Sequence, residues 1–205
     1  MAAWLMALAG SYLLGSIPTA YLVVKRLKRV DIRSVGSGNV GATNVTRSAG
    51  FKAGAFVFAV DLAKGLAAVL LVARVLQPDA GPAFRLACGL AAVIGHVAPV
   101  FLKFQGGKGV ATTIGVLVGV SPDIALACAT VWLACFLAWR YVSVGSLAAA
   151  ATVPLAQALF HRPLEEILLG GALALLIAVR HRANIARLLQ GTEPRFGRGH
   201  KARGS

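Results

Sequence analysis

Apolar residues along this chain gather in runs much longer than one buried face of a soluble helix requires. Seven such runs, at about 3–24, 53–76, 84–103, 110–121, 123–140, 143–160 and 164–180, are separated by polar stretches. Crossing the hydrocarbon core of a bilayer in helical form takes about 20 apolar residues. A backbone in hydrocarbon must satisfy its own polar groups, and a helix does so within each segment. The pattern therefore predicts an all-α fold, a polytopic membrane bundle of seven transmembrane helices. The fourth run is short for a full crossing and is expected to tilt or to sit in thinned bilayer. Pro122 and Asp123 mark the break between the fourth and fifth runs, and Pro163 marks the start of the seventh.

Composition agrees with the pattern. The 205 residues are 58% hydrophobic and only 14% charged, against roughly 45–50% and about 25% in an ordinary soluble domain. Mean hydropathy is +0.75. The length suits one compact bundle over 1–194, with 195–205 expected as a basic, glycine-rich, disordered tail that touches lipid. No repeat of fixed period is visible. Cys88, Cys128 and Cys135 lie inside apolar runs without CxxC or zinc spacing, so neither a disulfide frame nor a metal site is indicated. Ala7-Leu8-Ala9-Gly10 resembles a secretory cleavage site, but no basic segment precedes it and the apolar run continues to Val24. A membrane helix with a basic stop at Lys25–Arg29 is the expectation, without cleavage.

The net charge of +14 adds an orientation. Loop 25–52, loop 103–109, Arg140 and the tail from Arg180 onward hold seventeen Lys and Arg, whereas the alternate loops hold only Arg74, Arg85 and Arg162. Basic loops stay cytoplasmic. The N-terminus is therefore expected outside and the C-terminus inside, with every motif-like loop on the cytoplasmic face. Bases set beside apolar spans point to anionic headgroups and anionic substrates, not to nucleic acid.

Four stretches carry candidate chemistry. In Gln105-Gly106-Gly107-Lys108-Gly109, three glycines permit positive φ and close approach to a ligand, Lys108 adds charge, and Thr112 and Thr113 open the next helix. These features form a phosphate cradle, though GxxxxGK[ST] does not fit; a plain glycine-rich hairpin is the other reading. Ser37-Gly38-Asn39-Val40-Gly41-Ala42-Thr43-Asn44, closed by Arg47, can turn many donors toward one point, with Arg47 suited to a bidentate grip on phosphate. Asp61 and Lys64, three apart, share a helix face and read as a structural ion pair; His96 is either functional or a structural membrane histidine. Near the end, His181 and Asn184 share a face, and a lipid-binding basic helix explains the neighbouring arginines but not His181, Asn184 or Glu193. Ser143 and Ser146 at the start of the sixth run read as caps or as ligand contacts. The sequence shows no HxxxxD, no GxSxG, no HExxH and no paired carboxylates at a cytoplasmic surface. Metal-centred phosphoryl transfer is therefore not expected.

Taken together, GSIPTAYL, SGNVGATN, GHVAPVFLKFQGGKGVATTIG and RHRANIARLLQGTE resemble the bacterial acyl-phosphate-dependent glycerol-3-phosphate acyltransferases, the PlsY type, over nearly the whole chain. The resemblance implies transfer of an acyl chain from acyl phosphate to the 1-hydroxyl of glycerol-3-phosphate, giving lysophosphatidate and phosphate, without metal or organic cofactor. The setting would be the bacterial inner membrane, with membrane lipids as the surroundings, no nucleic acid, and a monomer as the working unit. The matched positions then divide as follows. Gly106, Gly107, Lys108, Gly109, Thr112 and Ser146 hold the acyl-phosphate phosphate. Ser37, Asn39, Arg47, His181 and Asn184 hold glycerol-3-phosphate, Lys108 bridges the two, and Asn44 and His96 line the site. Ser37, Arg47, Lys108, His181 and Asn184 are the expected catalytic set. His181, His96 or a substrate phosphate oxygen could take the hydroxyl proton, and the last is preferred. A transporter for an anionic metabolite is the rival class, opposed by the missing inverted repeat and by motifs crowded at one face. A lipid-binding scaffold is the third.

Overall fold

A computed structural model describes residues 1–197. Residues 198–205 of the expected basic tail lie outside them. Every regular element among the described residues is helical. In chain order these are α1 (Ala2–Ser16), α2 (Thr19–Lys28), α3 (Ala42–Ala49), α4 (Phe51–Leu76), α5 (Pro82–Val97), α6 (Val110–Val120), α7 (Pro122–Trp139), α8 (Val142–Leu159), α9 (Leu164–Arg180) and α10 (Arg182–Leu189). Five stretches among the described residues are long and apolar enough to cross a membrane: α1 with α2, α4, α5 with its following turn, α7 and α8. α6 is a shorter apolar helix. Its 11 residues rise about 16 Å, half of the hydrocarbon thickness. Large apolar side chains such as Leu71, Leu126, Leu155 and Leu175 point outward and are exposed, as a lipid-facing surface requires.

Several local features depart from the sequence reading. The first run is not one unbroken helix: Ile17 leaves the helical region at ψ 114° and the chain restarts at Thr19. Pro18 has no N–H to donate, and its ring disfavours a helical residue before it. The loop over 25–52 contains a helix of its own, α3, packed on α4. Five residues of α4, Ala68–Val72, wind as a π-helix. Arg85 of α5 donates to Val69 O at 3.2 Å and also to Gly119 O at the end of α6. The outer-loop arginine of the sequence reading is thus a clamp on two helices.

Small residues set two close crossings. α1 lies on α5 where Gly15 faces the Ala92 carbonyl and Gly95 faces that of Tyr12. α4 lies on α6 where Gly65 faces Thr112 O and Gly115 faces Leu62 O. A Cβ at any of these four positions would run into opposing backbone. This is the small-residue route to helix association where lipid supplies no hydrophobic drive. α7 packs on α8, α8 on α9, and α9 back on α5, and the loops carrying the polar motifs meet at one end.

Candidate active site

Asn44 folds the first motif loop. Its side chain, 1% exposed, accepts from Ser37 N at 2.9 Å and donates to Val35 O and Asn39 O at 3.0 Å and to Ile32 O at 3.3 Å. Gly36 at φ 59° passes so close that a Cβ would strike the Asn44 amide oxygen. Asn44 lines the cavity described below, but its amide is spent on its own loop, so it braces the site and offers nothing to a ligand. Three residues later on α3, Arg47 is exposed and has no carboxylate partner among the described residues.

The glycine loop is held on both edges. Gly106 N donates to Val97 O and Gly107 N to His96 O, each at 3.1 Å. On the other edge, Arg180 donates through Nη2 to Gly106 O at 2.9 Å and through Nε to Gly107 O at 3.1 Å. This corrects the expected anion nest, because these two amides are already bonded to α5. Neither residue has positive φ; of the three loop glycines only Gly109, at 83°, does. Gly106 and Gly107 are small for another reason, since a Cβ on them would strike the His96 and Val40 backbone, the His96 ring or Pro99. Thr112 is also corrected: its side chain is fully buried and does not line the cavity. The groups left for an anion are Lys108 and the opening N–H groups of α6, which have no acceptor within the helix.

The third segment closes the site. Lys108 Nζ donates to Asn184 Oδ1 at 2.5 Å. Asn184 Nδ2 donates to Glu193 Oε1 at 2.7 Å, Ser143 Oγ to the same oxygen at 2.7 Å, and Arg187 Nε to Glu193 Oε2 at 2.7 Å. His181, 2% exposed, has Nδ1 2.8 Å from Ile177 O. A carbonyl only accepts, so Nδ1 carries the hydrogen and Nε2 is left with a lone pair. Ser146 donates to Val142 O within α8 while lining the cavity. Beyond Glu193 the chain does not drift away at once. Arg195 Nε donates to the Tyr141 hydroxyl at 3.0 Å and Phe196 N to Arg140 O at 2.8 Å.

These segments surround a cavity of about 870 Å³, within the range of small-molecule sites. One end is lined by Ser37, Asn39, Arg47, Gly106, Lys108, His181, Asn184 and Glu193. The other is an apolar arm between α4, α6, α7 and α8, walled by Phe58, Ile114, Leu117, Cys128, Trp132, Ala150 and Val153. His96 also lines the cavity, but its Nδ1 is turned toward Lys64, 3.4 Å away, and Asp61, 3.7 Å away. Asp61 and Lys64 form the expected buried ion pair at 2.8 Å. Gly107 and Thr112 are the expected site residues that the cavity wall leaves out. No cluster of three or more potential metal-ligating side chains occurs among the described residues.

Charge is distributed unevenly around the polar end. Burial lowers the Lys108 ammonium to about 8; Glu193 pulls it up, while Arg187, Arg47 and Arg180 push it down. Burial, with Lys108 nearby, drops His181 to about 4, so it is neutral near pH 7. Burial alone would raise the Glu193 carboxyl, but hydrogen bonds from Asn184, Ser143 and Arg187 outweigh it and leave it below its ordinary value. The site therefore has surplus positive charge and suits a multiply charged anion. Sequence reasoning did not assign Glu193 or Arg180 to the site. A single acid set among tail arginines was the available signal for the first.

Over residues 5–191 the chain matches a protein-family profile described as glycerol-3-phosphate acyltransferase. It is 49% identical over 199 residues to a glycerol-3-phosphate acyltransferase of Gloeobacter violaceus, covering 95% of this chain and 97% of that protein. It is 52% identical over 185 residues to one of Myxococcus xanthus, covering 90% and 95%. Its fold matches the crystal structure of PlsY (YgiH), an integral membrane glycerol 3-phosphate acyltransferase in its glycerol 3-phosphate form, with TM-score 0.88, 45% identity and 96% of each chain covered. The lysophosphatidic acid form of that protein matches with TM-score 0.84.

Proposed function

The chain belongs to the glycerol-3-phosphate acyltransferase family, and from that premise we propose that it moves an acyl chain from acyl phosphate to the 1-hydroxyl of glycerol-3-phosphate. One observation carries the reading: a single cavity joins a cationic end to an apolar arm. The arm takes the acyl chain. Lys108, the α6 N-terminus, Gly109 and Ser146 take the donor's phosphate. Arg47, Ser37, Asn39, His181 and Asn184 take glycerol-3-phosphate, with Lys108 between the two anions.

In the reaction, the 1-hydroxyl oxygen bonds to the acyl carbon, the bond from that carbon to the phosphate oxygen breaks, and inorganic phosphate leaves. Acyl phosphate is already activated, so the protein's part is to hold both reactants and to meet developing negative charge with Lys108. The hydroxyl proton passes to a substrate phosphate oxygen. The best base has a pKa near the working pH. A phosphate's second pKa is about 6, whereas His181 sits at about 4. His181 therefore does not take that proton, and its part is to hold glycerol-3-phosphate in place.

Residues 1–194 act as one membrane domain, a monomer of seven crossings in the bacterial inner membrane. The N-terminus lies outside and the site at the cytoplasmic face, in keeping with the Lys/Arg bias of the loops. The deciding assay measures phosphate release in detergent from acyl phosphate plus glycerol-3-phosphate, and compares acyl-CoA as donor. Phosphate release with lysophosphatidate formation is expected from acyl phosphate alone. Turnover only with acyl-CoA would overturn the donor assignment.

A further inference from the structure

The break at Ile17–Pro18 opens a second and much smaller cavity, of about 10 Å³, lined in part by Thr19, Asp61, His96 and Pro99. That is about the least space that admits one water molecule. Hydrogen-bond accounting around it does not close. Lys64 Nζ gives two protons to Gly15 O at 3.2 Å and Ile17 O at 2.9 Å, the carbonyls freed by the helix break. Its third proton can serve either Asp61 Oδ1 at 2.8 Å or His96 Nδ1 at 3.4 Å, and not both. Thr19 Oγ1 is buried without a hydrogen-bond partner, and Asp61 Oδ1 has only the Lys64 ammonium beside it. The residues are 7% and 2% exposed. The gap between Asp61 Oδ1 and His96 Nδ1, 3.7 Å, is too long for a direct bond. Buried polar atoms in this condition are destabilising unless a partner is supplied. A metal cation is the wrong partner, because the Lys64 ammonium already fills that role.

We propose that one water molecule is bound here between Asp61, Thr19 and His96, and that this cluster fixes the His96 ring and through it the loop that carries Lys108. The water donates to Asp61 Oδ1, accepts from the Thr19 hydroxyl and completes the hydrogen bonding of His96 Nδ1. The far side of the ring lies against Gly107, where a Cβ would strike Nε2. The His96 carbonyl holds Gly107 N, and the next carbonyl holds Gly106 N. Thr19, which lies off the large cavity, is thus a positioning residue that acts with Asp61 through His96 on the backbone beside Lys108. Their effect on turnover rests on the acyl-transfer reading above; the water and the loop's rigidity do not.

The test combines a crystal structure of the detergent- or lipid-embedded protein with amide hydrogen exchange over 104–109, for the wild type, Thr19→Val and Thr19→Ser. Ordered density is expected in the wild-type cavity and none in Thr19→Val. Exchange at Gly106 and Gly107 rises about tenfold in the valine variant. With acyl phosphate as donor, kcat falls about tenfold while KM for glycerol-3-phosphate stays within about twofold, and Thr19→Ser restores both readouts. A dry wild-type cavity, or unchanged exchange in Thr19→Val, overturns the proposal. If exchange changes as stated but the wild type releases no phosphate from acyl phosphate, the proposed reaction fails and the water site stands.

Discussion

Lys108 and Asn184, 76 positions apart in the chain, meet through a hydrogen bond of 2.5 Å. The contact joins the loop before α6 to the helix after α9 and sets the ammonium within reach of Arg47, Arg180 and Arg187. Its charge is held only weakly, with the pKa lowered to about 8. Below that value the free enzyme carries the cation that a phosphate needs. As pH rises through about 8 the cation is lost, so kcat/KM is expected to fall there. In Lys108→Arg the guanidinium stays charged to above about 12, and the alkaline fall should disappear even if the rate is lower. A pH–rate profile of both proteins checks this.

Glu193 raises Lys108 through its charge. Glu193→Gln keeps the shape and removes that support. The alkaline limb of kcat/KM is then expected to move to lower pH, with a loss at pH 7.5 that shrinks as the assay is made more acidic. A limb that stayed in place would mean the two charges are not coupled.

Gly107→Ala tests the two-edged clamp. The added methyl would meet the His96 ring and Val40 O, so the loop must shift and carry Lys108 with it. Activity is expected to fall about 100-fold, in line with a displacement of about 1 Å at a reacting centre. Thermal unfolding in detergent should also move to a lower temperature, because one of the clashing atoms is backbone. Gly171→Ala, where a Cβ meets nothing within 4 Å, is the matched control and should be near wild type in both measurements.

Arg47→Ala removes an exposed guanidinium that no carboxylate partner holds among the described residues. A hydrogen bond to a charged group contributes about 1.5–3 kcal/mol, which is roughly 10- to 100-fold in affinity. The expected result is a KM for glycerol-3-phosphate higher by that factor, with the KM for the acyl donor much less affected. Initial-rate kinetics with each substrate varied in turn separate the two.

Ala150 lies on the wall of the apolar arm. Ala150→Phe fills part of that arm and should shift preference toward shorter donors. The turnover of a 16-carbon relative to a 10-carbon acyl phosphate is expected to drop about tenfold, because a buried aromatic ring occupies the volume of several methylenes. An unchanged ratio would place the chain elsewhere.

The sequence made the helical bundle legible because spans must be apolar along their whole length, whatever they pack against. It also marked Arg47, Lys108, His181 and Asn184 as candidates that the fold then gathered around one cavity. The gathering itself was not legible. Nothing local to Gly106 and Gly107 says that their amides will be taken by α5 carbonyls, or that Arg180 will clamp the other edge. Thr112 was misread because a hydroxyl at a helix start looks the same whether it faces a ligand or a neighbouring helix. Pro18 carried a signal that the apolar run around it concealed.

Because Glu193 is what ties Ser143, Asn184 and Arg187 together, the polar end of the cavity is complete only after α10 and residue 193 have been made. A nascent polypeptide inserted as far as α8 already has its glycine loop and Arg47, yet no latch. On the acyl-transfer reading proposed above, turnover then waits for residue 193. A premature stop a few codons upstream should leave a well-inserted but idle membrane protein.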